Sequence, residues 1–187
     1  MARVEKLNLP NTKVKLMEKL LRSVITEFKK VNKIKAVTFE ERLQNILDDY
    51  NNRMSDAEYV KSILDDVSAQ LMDLLNKLKE EQDSFNAMGI DYEEKAFFDI
   101  LVAVAEKFKF EFPEQENIAL AKEIRAALRD KEKYTDWANS AQIKALMQAD
   151  IIIILAKHGY PPTPPEIYEK VYSDILEQAE NFKKYSD

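Results

Sequence analysis

AEYVKSILDDVSAQLMDLLNKL, residues 57–78, carries the cleanest periodicity in the chain. Ala57, Val60, Leu64, Val67, Leu71, Leu74 and Leu78 step by three and four residues. That spacing brings every apolar side chain back to one face of an α-helix. Asp65, Asp66, Lys77 and Lys79 fall off the stripe. Ser55 and Glu58 read as a capping box at its start. The expected helix runs from about residue 56 to 84, roughly 40 Å at 1.5 Å per residue. A helix of that length with one apolar face needs a partner along most of it.

The segment before it, TFEERLQNILDDYNNR (38–53), reads as a second amphipathic helix. Thr38 and Glu41 suit a cap, and Leu43, Ile46, Leu47 and Tyr50 recur at helical spacing. It ends in Tyr50-Asn51-Asn52-Arg53. One reading is a C-cap, because Asn tolerates the left-handed conformation and Arg complements the helix dipole. The other is a contact point for a neighbouring helix or a partner. Earlier still, Val14, Met17, Leu21, Val24, Phe28 and Val31 form a coiled-coil-like stripe. Leu16, Leu20 and Ile25 widen it, so that helix is expected to pack against more than one neighbour, and it is the obvious partner for residues 56–84. Asn32–Val37 reads as a short basic connection.

Toward the C-terminus, Gly89 marks a helix end and Asp91 with Glu94 forms another capping box. Phe97, Phe98, Leu101, Val104, Ala105 and Phe108 follow, stopping before Pro113. Ile118, Ala121, Ile124 and Leu128 mark the next helix. Trp137, the only tryptophan, precedes one carrying Ile143, Leu146, Met147 and Ile151–Leu155. That helix is apolar nearly all round near its end, so it is expected at the centre of the core. His158 and Gly159 close it, with His158 capping its last carbonyls. Tyr160 to Pro165 is a stiff extended joint, and Thr163, Pro164 and Glu166 start the last helix. Ile167, Val171, Ile175 and Phe182 form its apolar face. The expectation is one all-α domain over residues 1–187, with long N-terminal helices packed in coiled-coil-like fashion. Its seven helices are placed at 11–32, 39–52, 56–84, 92–110, 114–130, 138–158 and 164–184.

Composition agrees. Only 2 Gly and 6 Pro in 187 residues argue against hairpin-rich architecture, and 45% hydrophobic with 33% charged residues is a globular balance. Cysteine is absent, which excludes disulfides and thiolate chemistry and fits a cytoplasmic setting. The leading residues lack the apolar core of a secretory signal, and no run is long enough to span a bilayer. Net charge is −6, unevenly spread. Residues 1–35 hold ten Lys or Arg against three acids, giving +7 there and −13 elsewhere. The acidic body repels a nucleic-acid backbone. Lys13, Lys15, Lys29, Lys30, Lys33 and Lys35 could still touch phosphate locally, or form a solvated face that docks against the acidic remainder.

Catalytic inventory is thin. His158 is the sole histidine, so a di-iron carboxylate bundle with two Glu-x-x-His motifs is excluded. Two isolated glycines cannot build a phosphate-binding loop. Adjacent acid pairs such as Asp48-Asp49 and Glu93-Glu94 point about 100° apart on a helix and make poor shared sites. No catalytic, metal or cofactor-binding residue is assigned.

Several motifs in order carry a resemblance. They are Leu9-Pro10-x-x-Lys13-Val14, then Phe39-Glu40-Glu41-Arg42-Leu43 leading to Tyr50-Asn51-Asn52-Arg53. Next come Glu94-Lys95-Ala96-Phe97-Phe98-Asp99-Ile100-Leu101 and Ala121-x-Glu123-Ile124. Last are Asp136-Trp137 and Lys157-His158-Gly159-Tyr160-Pro161-Pro162. Over roughly residues 9–180 the chain resembles the C-terminal helical domain of the type I restriction endonuclease R subunit. The resemblance implies a longer parent with a nuclease domain and two helicase-like lobes that use ATP and Mg to translocate DNA. None of the nuclease or motor motifs is present here. It implies a non-catalytic assembly domain, with the modification (M) subunit and the motor lobes of its own parent chain as partners. The M subunit acts in a core with a specificity (S) subunit. DNA would be contacted only weakly or indirectly, and a membrane not at all. The alternatives are a DNA-binding module using residues 1–35 and a nucleotide-responsive domain contacting the motor. Tyr50, Asn51, Asn52, Arg53, Trp137, Gly159, Tyr160 and Pro161 are the structural or interface residues the signature singles out. With the signature in view, Tyr50–Arg53 is expected to pack inside the domain.

Overall fold

The computed structural model describes residues 10–53, 60–134, 136–162 and 166–185. Among them are seven α-helices, one short 3-10 turn and no strand, so the all-α class is borne out. The helices are α1 (Pro10–Val31), α2 (Lys33–Arg53), α3 (Val60–Met88), α4 (Tyr92–Phe108), α5 (Glu114–Glu132), α6 (Ala141–Lys157) and α7 (Glu166–Tyr185). The 3-10 turn spans Trp137–Asn139. The expected caps at Ser55 and at Thr163 lie outside the described residues.

Two compact units emerge. One comprises most of α1, α2 from Lys35 onward, and α3 up to Ser84. Its core joins the three stripes read from the sequence. Val14, Met17, Leu21, Ile25 and Phe28 of α1 meet Ala36, Phe39, Leu43 and Leu47 of α2 and Leu64, Val67, Leu71, Leu74, Leu75 and Leu78 of α3. Phe28 and Phe39 meet edge to face, with ring centroids 6.1 Å apart.

The second unit comprises Lys30–Ile34 and Phe85–Asp187. Its core draws on α4 to α7, on Trp137 and on Tyr160. Here the expected centre is wrong. Lys95 to Leu101 of α4 are buried without a break, whereas α6 leaves Leu146 and Ile153 exposed. The reason is that α4 neutralises its own charges. Lys95 Nζ lies 2.6 and 2.7 Å from the two oxygens of Asp99, one turn on. A helix with a self-paired ion can be buried on all sides; burying either partner alone would cost several kcal/mol (about 3–5).

The helix boundaries differ most at α2. The structure starts it at Lys33, so Thr38 lies inside the helix and the expected Asn32–Val37 connection shrinks to Asn32 alone. Asn32 is buried, and its Nδ2 donates to Asp99 Oδ2 at 2.6 Å. Gln178 of α7 takes the helix ends on either side of this break. Its Nε2 donates to Val31 O, and its Oε1 accepts from Lys33 N. Asn181 Nδ2 donates to Lys30 O. These are terminal groups that a helix cannot satisfy internally.

The capping box of α4 is as expected. Asp91 accepts from Glu93 N and Glu94 N, and Glu94 accepts from Asp91 N. Gly89 and Gly159, both at positive φ, follow the ends of α3 and α6.

Candidate functional site

The signature residues in the second unit come together as packing and as ion pairs. Tyr160 is fully buried. Its hydroxyl donates to Leu101 O at 2.5 Å, so the last motif grips the final residue of the Glu94–Leu101 motif. Phe110 and Phe112 close on its ring edge to face, at 5.5 and 4.9 Å between centroids. Burial holds the phenol well above its ordinary pKa. Pro161 is buried beside it and Pro162 is exposed. Gly159 is exposed at φ 63, a conformation that L side chains rarely adopt, which accounts for glycine there.

The Ala121-x-Glu123-Ile124 motif meets the same end of α6. Glu123 Oε1 accepts from Lys157 Nζ, and Glu123 Oε2 faces His158 Nε2, both at 2.7 Å. The His158 ring therefore faces a carboxylate on α5 instead of capping its own helix; only its backbone N–H reaches Ile154 O. The hydrogen bonds from His158 and then Lys157 hold the Glu123 carboxyl below its usual pKa.

Trp137 is fully buried in the core of this unit, and its indole Nε1 has no hydrogen-bond partner. A tryptophan buried without its polar contact acts through shape alone. Arg125 lies buried between Glu93 (2.5 Å) and Glu132 (2.7 Å).

The Tyr50–Arg53 stretch sits elsewhere, at the end of α2. Tyr50 is partly buried and packs against the core of the first unit, but Asn51 and Asn52 are exposed. Among the described side chains of this stretch, Tyr50 alone packs inward. The side chain of Arg53 lies outside the described residues.

Of the lysines singled out as phosphate contacts, several are engaged by acids. Lys29 pairs with Glu40 at 3.1 Å, Lys33 with Glu177, and Lys35 with Glu81 at 3.9 Å. Lys30 Nζ lies 5.6 Å from the ring centroid of Tyr185. Lys13 is half-buried and Lys15 exposed on α1.

Sequence reading missed the Asn32–Lys95–Asp99 network and the role of Gln178. Lys95 and Asp99 stand at the ion-pair spacing of one helical turn. Nothing local links either to Asn32, which lies 67 residues from Asp99. The concavity at the α4–α5 loop is about 860 Å³, lined by Val102, Phe110, Phe112 and Pro113 with Glu106 and Lys109. Among the described residues there is no cluster of acids and histidines able to hold a metal ion, and no helix long and apolar enough to cross a membrane.

These geometries describe a region whose signature motifs lock helices to one another. The comparisons with known proteins agree with the resemblance. Residues 1–185 match the family described as "Type I restriction enzyme HindI endonuclease subunit-like, C-terminal". A protein of Methanocaldococcus jannaschii, named as the type I restriction enzyme MjaIXP endonuclease subunit, is 24% identical over 156 residues. That alignment covers 80% of this chain and 13% of the relative's length. No solved structure matches the chain. The match over nearly every residue places the chain in the family of C-terminal regions of type I restriction enzyme endonuclease subunits.

Proposed function

We propose that this chain is a non-catalytic assembly region, which docks the ATP-dependent translocase and endonuclease of a type I restriction enzyme to its methyltransferase core. The observation that carries this reading is where the signature residues go. Glu123, His158, Tyr160 and Trp137 are the residue types from which an active site can be built; the first three join one element to another and Trp137 is buried in the core. What remains for function is the outer surface of the helices, and recognition between proteins is a surface property. Membership of an endonuclease-subunit family supplies the context.

Sedimentation of the chain with the cognate methyltransferase tests this. Co-migration at micromolar concentration is the expected result, and independent migration there would sink the docking role. A DNA-binding role through residues 1–35 draws less support, because Lys29, Lys33 and Lys35 already face carboxylates.

A further inference from the structure

The concavity at the α4–α5 loop contains a polar group that the fold does not satisfy. Asn117, at the end of the first turn of α5, lines it and is only 4% exposed. Its Nδ2 donates to Phe112 O at 3.5 Å, which sets the other end of the amide as the oxygen. That oxygen, Oδ1, has no hydrogen-bond partner. Buried acceptors in folded proteins are normally paired, and an unpaired one is costly.

The remaining lining selects the kind of donor that fits. Val102, Ala105, Phe110, Phe112 and Pro113 make most of the wall apolar. Glu106 and Glu111 line it too, both exposed, and neither has an ion-pair partner among the described residues. Lys109 is the one cation in the lining, so two carboxylates outnumber it. Residue 109 also caps α4, which places the negative end of that helix dipole on the same side. A volume of about 860 Å³ is in the range of small-ligand sites.

We propose that this concavity binds a guanidinium or ammonium group carried on an alkyl stem. The stem lies against Val102, Phe110 and Phe112, an N–H donates to Asn117 Oδ1, and the charge sits beside Glu106 and Glu111. A neutral donor would satisfy Asn117 but gain nothing from the two carboxylates. An anion would meet both of them and the end of α4. The site stands apart from the docking role, and neither test decides the other.

Titration of the ¹⁵N-labelled 187-residue chain with n-butylguanidine tests this. Amides of residues 102–117 and the side-chain amide of Asn117 should shift saturably, with a Kd of about 1–10 mM for a ligand of this size. n-Butanol, the stem without the charge, should bind at least about tenfold more weakly. Glu106→Gln with Glu111→Gln should weaken butylguanidine about tenfold and leave the melting temperature unchanged, because both side chains are exposed. Asn117→Leu should weaken it by a similar factor without lowering the melting temperature, since it removes an acceptor that the fold leaves unpaired. Lys109→Gly, which suits the left-handed backbone there (φ 56), should tighten binding by removing the opposing charge. The dipeptide N-acetyl-leucyl-arginine amide separates two sources of the same group. Tighter binding than butylguanidine assigns the site to a basic side chain of a protein, and equal or weaker binding assigns it to a free cation; both support the site. Absence of a saturable shift, an equal response to n-butanol, or binding of butyrate that Lys109→Gly abolishes would each overturn the proposal.

Discussion

Tyr160 shows what a single residue contributes here. Its hydroxyl reaches the carbonyl of Leu101, which lies in mid-helix and keeps its own helical partner. Removing the hydroxyl therefore leaves no orphaned acceptor. Tyr160→Phe is expected to cost about 1 kcal/mol, whereas Tyr160→Ala opens a cavity between Phe110 and Phe112 and costs about 3–5 kcal/mol. Denaturant titration separates the two. The substitution to Phe also alters the alkaline limb. Because the folded pKa is raised, the contribution of Tyr160 is complete below the unfolded value of about 10 and is lost as pH rises through the folded one. The variant should lose less stability than the parent above pH 10. Glu123 works in the opposite direction. Its folded pKa is lowered, so its contribution is present above the unfolded value of about 4.3 and lost as pH falls through the folded one. Glu123→Gln should lower the melting temperature modestly at pH 7 and converge with the parent in acid, since the carboxylate is partly exposed. A constant difference down to pH 2 would show that the effect is packing and not charge.

At the scale of elements, helices were legible wherever burial follows sequence periodicity. The stripes of α1 and α3 and the capping box of α4 needed nothing beyond local spacing. The start of α2 was misread because Thr38 and Glu41 make a plausible cap. Asn32, at the break between α1 and α2, bonds Asp99, a partner that no local pattern reveals. The ranking of α4 and α6 failed for a related reason. Hydrophobicity measures what can be buried, not what the rest of the fold covers, and paired Lys95 and Asp99 made α4 as buriable as an apolar helix. Gln178 gives the sharpest prediction at this scale. It is buried and bonds both the end of α1 and the start of α2. Gln178→Ala strands Val31 O and Lys33 N and is expected to cost about 2–4 kcal/mol, more than truncating an exposed glutamine. A drop in stability below about 1 kcal/mol would mean that water replaces both bonds.

For the whole molecule, the candidate site was legible as an ordered set of motifs but not as a set of contacts. Glu123 and His158 stand 35 residues apart, and only the packing of α5 on α6 makes them partners. Charge is the other property read at this scale. Residues 1–35 carry +7 against −13 for the remainder, which as composition alone left phosphate binding open. The structure turns several of those lysines toward acids: Lys29 to Glu40, Lys33 to Glu177, Lys35 to Glu81. A phosphate would have to displace a carboxylate at each, while the surplus of negative charge repels the duplex at longer range. The chain is therefore expected to give no salt-sensitive shift of duplex DNA at about 0.15 M ionic strength, where screening reaches within about 8 Å. Removing the competing acids should change that. Glu40→Gln with Glu177→Gln removes the carboxylates that face Lys29 and Lys33, raises the net charge by two, and should yield weak binding below about 50 mM salt. Its affinity should fall with a log–log slope near −2 if two phosphates are contacted. Tight binding by the parent chain at physiological salt would instead mean that Lys13, Lys15 or another basic surface meets DNA, and would reopen the nucleic-acid reading.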